Sequence, residues 1–517
     1  MNIFLSLLPI AILVFLMARK KSAPAHFALP GAAILMLAIR GFFFENSLNF
    51  LAAASVSGFL TALTPILVVW GAVFLFRTIE VSGAMDTIKK WLDSVSKNPV
   101  AQVMIVGWAF SFLIEGASGF GTPAALAAPI LVGLGFPAWR VVVACLIFNT
   151  VPVSFGAAGM PTWFGLGGLG FSPSELLEIG HFSAQIHFVA ALVIPFFALS
   201  FLVPASKIRK NLGFIFLSIL ACAVPYLIFS KLGTEFPSLL GGAIGLLISV
   251  FIAKKNWGGE RSFSKTPSGI SWQNLLRATF PLWGVIVILV ATRLDFLPFK
   301  NFLTAVAPAV HFQNFSISAG GVLSWSQIFG ENISWSHAIG YVPSFVPFWI
   351  VSILAWWWLG VKKTQRRSVV RDSLRRVRKP AIALFGALIL VKLILLGGNS
   401  PAQILGDFFA NLAGASWPIF AAGLGALGSF FSGSNTVSNL TFGGIQTAVA
   451  QSAGISPVKI AALQNVGGAA GNMICLHNII AACAVLGLEN AEGKILRKTI
   501  LPLVVYLAIA GIFGVLF

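Results

Sequence analysis

Apolar runs of roughly 17–22 residues recur along the whole chain, and nothing else in it narrows the fold as much. A helix needs about 20 such residues to cross the ~30 Å of hydrocarbon in a bilayer. Inside lipid, backbone N–H and C=O groups find no water, so only helices and closed barrels can span. A barrel would show alternating segments of about 10 residues instead. Apolar residues make up 57% of the 517 and charged ones only 9%, too little charge to cover a soluble protein of this size. The expected fold is an all-α integral membrane protein.

The net charge of +19 does not point to nucleic acid. Lys and Arg gather at the ends of apolar runs, where they set topology and face anionic headgroups, rather than forming a basic face on a soluble domain. The first run, Asn2–Ala18, has no basic residue before it and Arg19, Lys20 and Lys21 after it, the reverse of a secretory signal, so it reads as a spanning helix. Cys145, Cys222, Cys475 and Cys483 all lie inside apolar runs, with spacing that suggests neither a metal site nor disulfides. No cofactor is implied.

Placing basic clusters on the cytoplasmic side gives a consistent trace. Helices at about 2–18, 25–41 and 51–77 lead to Arg77, Lys89, Lys90 and Lys97. The next apolar stretch, about 99–134, is broken by EGASGFG at 115–121. As a full crossing it puts every later basic loop on the wrong side; as a re-entrant hairpin it fits. Helices follow at about 139–160, 184–204, 212–230, 237–253 and 278–294. A charge-poor segment, 295–343, reads as an external loop with interfacial pieces. A helix at about 344–360 precedes 361–379, a cytoplasmic loop with nine Lys/Arg and one acid, Asp372. After a helix at about 380–397, the region 404–452 is broken by SGSNTVSN at 432–439 and reads as a second hairpin. Helices at about 459–485 and 499–516 complete about 12 crossings, with both termini outside. By region, 1–253 carries the first hairpin, 254–379 the central helices and two long loops, and 380–517 the second hairpin.

Each break is followed by an Asn-bearing, Gly/Ala-rich helix, with 34 residues from Glu115 to Asn149 and 33 from Ser432 to Asn465. An odd number of crossings separates the hairpins, so they form an inverted repeat. Polar backbone at membrane depth persists only inside protein or beside a wet cavity, and each break exposes a helix N-terminus suited to an anion. Matched interruptions of this kind point to a secondary transporter's binding site, although the same glycines can also serve close helix packing.

Among the fifteen acidic residues, Glu115 is the one most clearly flanked by long apolar runs. An intramembrane carboxyl is costly as an anion, which makes it a candidate proton carrier or a hydrogen-bonded brace of the hairpin tip. His477 is a second candidate for proton relay. His187 reads as structural, Lys392 as able to snorkel and Arg140 as a topological anchor.

The stretches LIEGASGFGTPAALAAPILVGLGFPAWRVVVACLIFNTVPVSFGAAGMP (113–161) and GSNTVSNLTFGGIQTAVAQSAGISPVKIAALQNVGGAAGNMI (433–474), about a fifth of the chain, strongly resemble the L-lactate permease family. The resemblance implies proton-coupled uptake of L-lactate, D-lactate or glycolate across the bacterial cytoplasmic (inner) membrane, and kinship with an ion-transporter scaffold. By position, it assigns Glu115, Ser118, Gly119, Gly121 and Thr122 to the first tip and Ser434, Asn435, Thr436 and Asn439 to the second, with Asn149 and Asn465 on flanking helices. After Met473 the chain reads Ile-Cys-Leu-His-Asn, which departs from the family pattern and leaves the hydroxy acid open. The expected partners are a small hydroxy acid, a proton and the lipid bilayer, in a monomer or a homodimer. Sodium coupling of an organic anion is the alternative on the same scaffold. A membrane enzyme would need clustered Asp/His or Ser/His groups near one face, and the sequence shows none.

Overall fold

The computed structural model describes residues 1–517 except 19–22, 120–121, 261–268, 294–296, 343–344, 489–490 and 517. Arg19, Lys20, Lys21, Arg261, Lys265 and Gly121 therefore lie outside the described residues, as does the side chain of Thr122. The chain is a multi-pass helical membrane protein. Among the described residues, nine helices are long and apolar enough to cross a membrane, or eleven if two bent pairs each count as one span.

Two compact units interleave along the chain. The first comprises Met1–Ser82, Phe280–Gly414 and Ala448–Ala453. Its spine is a pair of long helices, Leu48–Val81 and Lys363–Leu395, packed against each other. Gly58 makes the approach close: a Cβ there would sit 2.7 Å from the backbone of Ile389. Further along, Trp70 Nε1 donates to Ser373 Oγ at 3.1 Å, and Arg77 pairs with Asp372 at 2.6 Å.

This pairing corrects one expectation. The basic stretch 361–379 is not a loop but the first half of the 33-residue helix. Lys and Arg are good helix formers, and Val369, Ser373 and Val377 bury one stripe while the cations face outward. The segment 295–343, expected as an external loop with interfacial pieces, contains regular structure. Besides the short helix Pro298–Thr304, it holds a four-stranded antiparallel meander: β1 Ala309–Phe312, β2 Phe315–Ser318, β3 Val322–Trp325 and β4 Trp335–Ala338. Aromatic cross-strand pairs, Phe315 with Trp325 and Trp325 with Trp335, align its register. Strands of four residues are too short to show a period of two.

The second unit comprises Gly83–Thr279, Ala415–Thr447 and Gly454–Phe517, and it holds both breaks. The first arm, Pro99–Ser118, passes through a π-helical run at Met104–Phe110 and is 94% buried, where the other candidate spans are 39–67% buried. Protein rather than lipid therefore surrounds it. After Gly119 (φ 62°) the helix Thr122–Gly133 returns against it. The second pair is Trp417–Ser432 and Asn435–Ser452, joined through Gly433 (φ 75°). Ser438 Oγ donates to the Gly425 carbonyl at 2.7 Å across these two arms.

The helix following each pair is broken too. Ala138–Phe148 bends by 49° into the next stretch at Asn149–Thr150, and Pro457–Gly471 gives way at Asn472–Ile474 to Leu476–Val485. A bend of 40° also divides Pro173–Ala191 from Ile194–Leu202.

Small residues let these helices approach one another. A Cβ on Gly242 would lie 2.3 Å from the Leu113 backbone nitrogen, one on Gly467 1.9 Å from the Ala422 carbonyl oxygen, and one on Gly471 2.3 Å from that of Ala426. Without a hydrophobic drive between helices in lipid, such contact supplies the packing energy. Gly467→Leu is expected to lower the melting temperature in detergent by the equivalent of at least about 1–3 kcal/mol. Gly423→Leu, where a Cβ meets nothing within 4 Å, should leave it near wild type.

Candidate functional site

The two breaks converge on one small cavity. The first pair contributes Glu115 and Gly119, and the second contributes Gly433, Ser434, Asn435 and Thr436. Between them lie Asn472 and five residues of 153–161: Val153, Gly156, Ala157, Met160 and Pro161. Local conformation dictates this geometry. Gly119 and Gly433 adopt left-handed φ values that end one helix, and the next begins almost at once. The start of Asn435–Ser452 thus points its positive dipole end at the cavity.

Glu115 is 2% exposed, and its carboxylate Oε2 accepts from Asn149 Nδ2 at 3.1 Å. No salt bridge reaches it among the described residues. Glycine makes room for its other oxygen: a Cβ on Gly156 would lie 2.3 Å from Oε1, and one on Gly119 3.6 Å away. Asn149 Oδ1 is buried without a hydrogen-bond partner.

Behind the second tip lies a closed network centred on Asn465. Its Oδ1 accepts from Asn435 Nδ2 and Asn439 Nδ2, each at 3.0 Å. Its Nδ2 donates to Thr162 Oγ1 at 2.9 Å and Ser183 Oγ at 3.2 Å. Its carbonyl accepts from Asn435 Nδ2 and Ser154 Oγ, each at 3.1 Å. The side-chain amide has no capacity left. Since Ser154 Oγ donates to that carbonyl, it accepts from His187 Nε2 at 2.8 Å, which leaves His187 Nδ1 to accept from Tyr506. Gln464 extends the network to Ser438, and Gln446 extends it to Gln464 and Trp417.

Of the residues expected from sequence, Glu115, Gly119, Ser434, Asn435 and Thr436 line the cavity. Asn149 stands behind Glu115, and Asn439 and Asn465 stand behind the second tip. Ser118 Oγ turns back to the Ile114 carbonyl at 2.9 Å. Thr122 opens the helix after the first break. His477 is exposed at the start of Leu476–Val485, its Cβ 3.4 Å from where a Gly433 Cβ would be. Asn472 and the wall at 153–161 were not singled out by sequence reasoning. Ala157 and Ala158 are left-handed at φ 47° and 53°, a conformation that nothing in a run of alanines signals.

The chain matches the family described as L-lactate permease over residues 2–517. It is 45% identical to the "Putative L-lactate permease" of Haemophilus influenzae, covering 100% of this chain and 98% of the relative. Against the Escherichia coli glycolate permease GlcA the identity is 26%, over 100% and 95% of the two chains. Among solved structures, the Alcanivorax borkumensis YdaH transporter resembles it with a TM-score of 0.49 at 14% identity, over 95% of this chain and 98% of that one.

Because Asn465 is saturated, Asn465→Leu strands several buried donors and acceptors at once, at about 1–3 kcal/mol for each group left unpaired. The expected outcome is a large drop in melting temperature. Thr436→Val, at the cavity surface, should drop far less in the same measurement.

Proposed function

We propose that this chain, which belongs to the L-lactate permease family, imports lactate and related short 2-hydroxy monocarboxylates together with a proton across the bacterial cytoplasmic membrane. One observation carries the reading. A single small cavity places a buried carboxyl, Glu115, opposite hydroxyl and amide groups at a helix N-terminus, and both breaks contribute to it. The relatives named for L-lactate and glycolate support the substrate class.

The substrate carboxylate lies against the start of Asn435–Ser452, where the helix dipole and the Ser434 and Thr436 hydroxyls favour an anion. An anion entering a cavity beside an ionised Glu115 would meet like charge in a low dielectric. Protonation of Glu115 removes that repulsion, so proton and monocarboxylate move as an electroneutral unit. Asn149 holds the carboxyl in place in either state through its Nδ2. Alternating access then follows from rearrangement of the folded-back pairs, which are re-entrant in this reading, with both chain termini on the outer side.

Sodium coupling is the second reading, and one observation favours it. Asn435 Oδ1 and Ser429 Oγ are buried, lack hydrogen-bond partners and both lie beside Gly468, a pair of oxygens that a cation could satisfy. Proteoliposomes in sodium-free buffer under an imposed pH gradient separate the two. Proton coupling predicts full accumulation of labelled lactate there, and its collapse without sodium supports the second reading.

Glu115→Gln is expected to lose pH-driven accumulation by at least about tenfold while retaining lactate exchange, since the amide keeps the shape but carries no proton. Accumulation that persists in this variant would exclude Glu115 as the coupling group. Gly156→Ala, which drives a methyl into the Glu115 carboxyl, should reduce both accumulation and exchange at unchanged membrane expression.

A further inference from the structure

The cavity lining divides sharply by origin. Its polar groups come from the two tips and Asn472, whereas its apolar side chains, Val153, Ala157, Met160 and Pro161, all come from one stretch of nine residues. A ligand whose polar end occupies the tips must direct its carbon tail at that stretch.

That stretch cannot readily yield, because the backbone from Val151, just before it, to Pro161 is fastened from behind. Tyr226 Oη donates to the Val151 carbonyl at 3.1 Å and Ser238 Oγ to that of Pro152 at 2.6 Å. Thr162 Oγ1 donates to the carbonyl of Ser154 at 2.8 Å, Trp163 Nε1 to that of Ala158 at 3.0 Å, and Asn439 Nδ2 to that of Pro161 at 2.9 Å. Ala157, Ala158 and Gly159 are all left-handed, and a Cβ on Gly159 would collide with the Thr234 carbonyl. Two adjacent alanines persist in that region only where the surroundings over-determine them. Val153 and Met160 are 3% and 1% exposed, so each packs from behind as well as facing the cavity.

We infer that 153–161 is a rigid length gauge for the substrate, with Val153 and Met160 forming the surface that the alkyl end of a short 2-hydroxy acid meets. This rests on the reading of the cavity as a 2-hydroxy monocarboxylate site. Held walls discriminate by volume: a methylene that has no room must displace packed atoms, and a rigid interior resists. The gauge admits the hydrogen of glycolate and the methyl of lactate and disfavours longer tails. It acts on specificity, while charge recognition stays with the tips.

The test is initial uptake of labelled glycolate, lactate and 2-hydroxybutyrate into proteoliposomes by wild type, Val153→Ala, Met160→Ala and Val153→Ile. The alanine variants are expected to raise the 2-hydroxybutyrate-to-lactate ratio by roughly tenfold, the scale of one methylene in a fitted pocket. Val153→Ile should lower the lactate-to-glycolate ratio by a similar factor. Variants that take up lactate with both ratios within about twofold of wild type overturn the gauge and leave the functional reading standing. A wild-type protein that moves none of the three acids overturns the functional reading and the gauge with it. Should the alanine variants fail to reach the membrane, Val153→Ile alone decides, because its ratio is internal to one folded sample.

Discussion

Polar backbone can exist at membrane depth only where its donors and acceptors are matched, and at the second break that matching converges on the Asn465 amide. Four side-chain hydrogen bonds and two to its carbonyl tie the second tip to Thr162, Ser183 and Ser154. The tip in turn supplies the Ser434–Thr436 edge of the cavity, and Thr162 and Ser154 bound the stretch that supplies its apolar wall. Both the polar edge and the apolar wall of the cavity, to which recognition of charge and selection by size are proposed to fall, therefore hang from one buried amide that stands behind it. A network of this kind is stable only when complete, since a missing partner leaves several groups dry and unpaired.

Close packing brings these groups together. Gly425, Gly467 and Gly471 let Trp417–Ser432 and Pro457–Gly471 approach until backbone meets backbone, and Gly116 and Gly242 do the same for the first arm and Pro237–Lys255. At Gly468 the missing side chain makes room for the Asn435 amide itself. The glycines thus serve close packing and shape the surroundings of the cavity at once.

The places where hydropathy fails were legible because lipid is an unforgiving solvent: EGASGFG and SGSNT cannot face it, so their involvement in a protein-lined cavity followed. Glu115 stood out for the same reason. What could not be read was anything set by side-chain direction. Val153 and Met160 look like any core residues in a run of apolar ones, and Asn465 looked as able to touch a ligand as Asn435 did. His187 read as structural, and both its ring nitrogens are engaged. The basic stretch 361–379 was misplaced as a loop because charge pattern reports where a segment meets water and says little about its backbone. The meander at 309–338 escaped because its four-residue strands, which mix apolar residues with serine and histidine, fit irregular structure equally well.

The long helical pair of the first unit has a consequence of its own. Leu48–Val81 contains 34 residues and its partner 33, so at 1.5 Å per residue each is about 50 Å long. A bilayer offers ~30 Å of hydrocarbon, and the Gly58 contact, the Trp70–Ser373 hydrogen bond and the Arg77–Asp372 ion pair bind the two helices along their length. The excess is taken up by leaning or by standing clear of the hydrocarbon, and either choice depends on membrane thickness. The pair is thus longer than the hydrocarbon is thick, and its lean or overhang is tied to the thickness of the surrounding lipid.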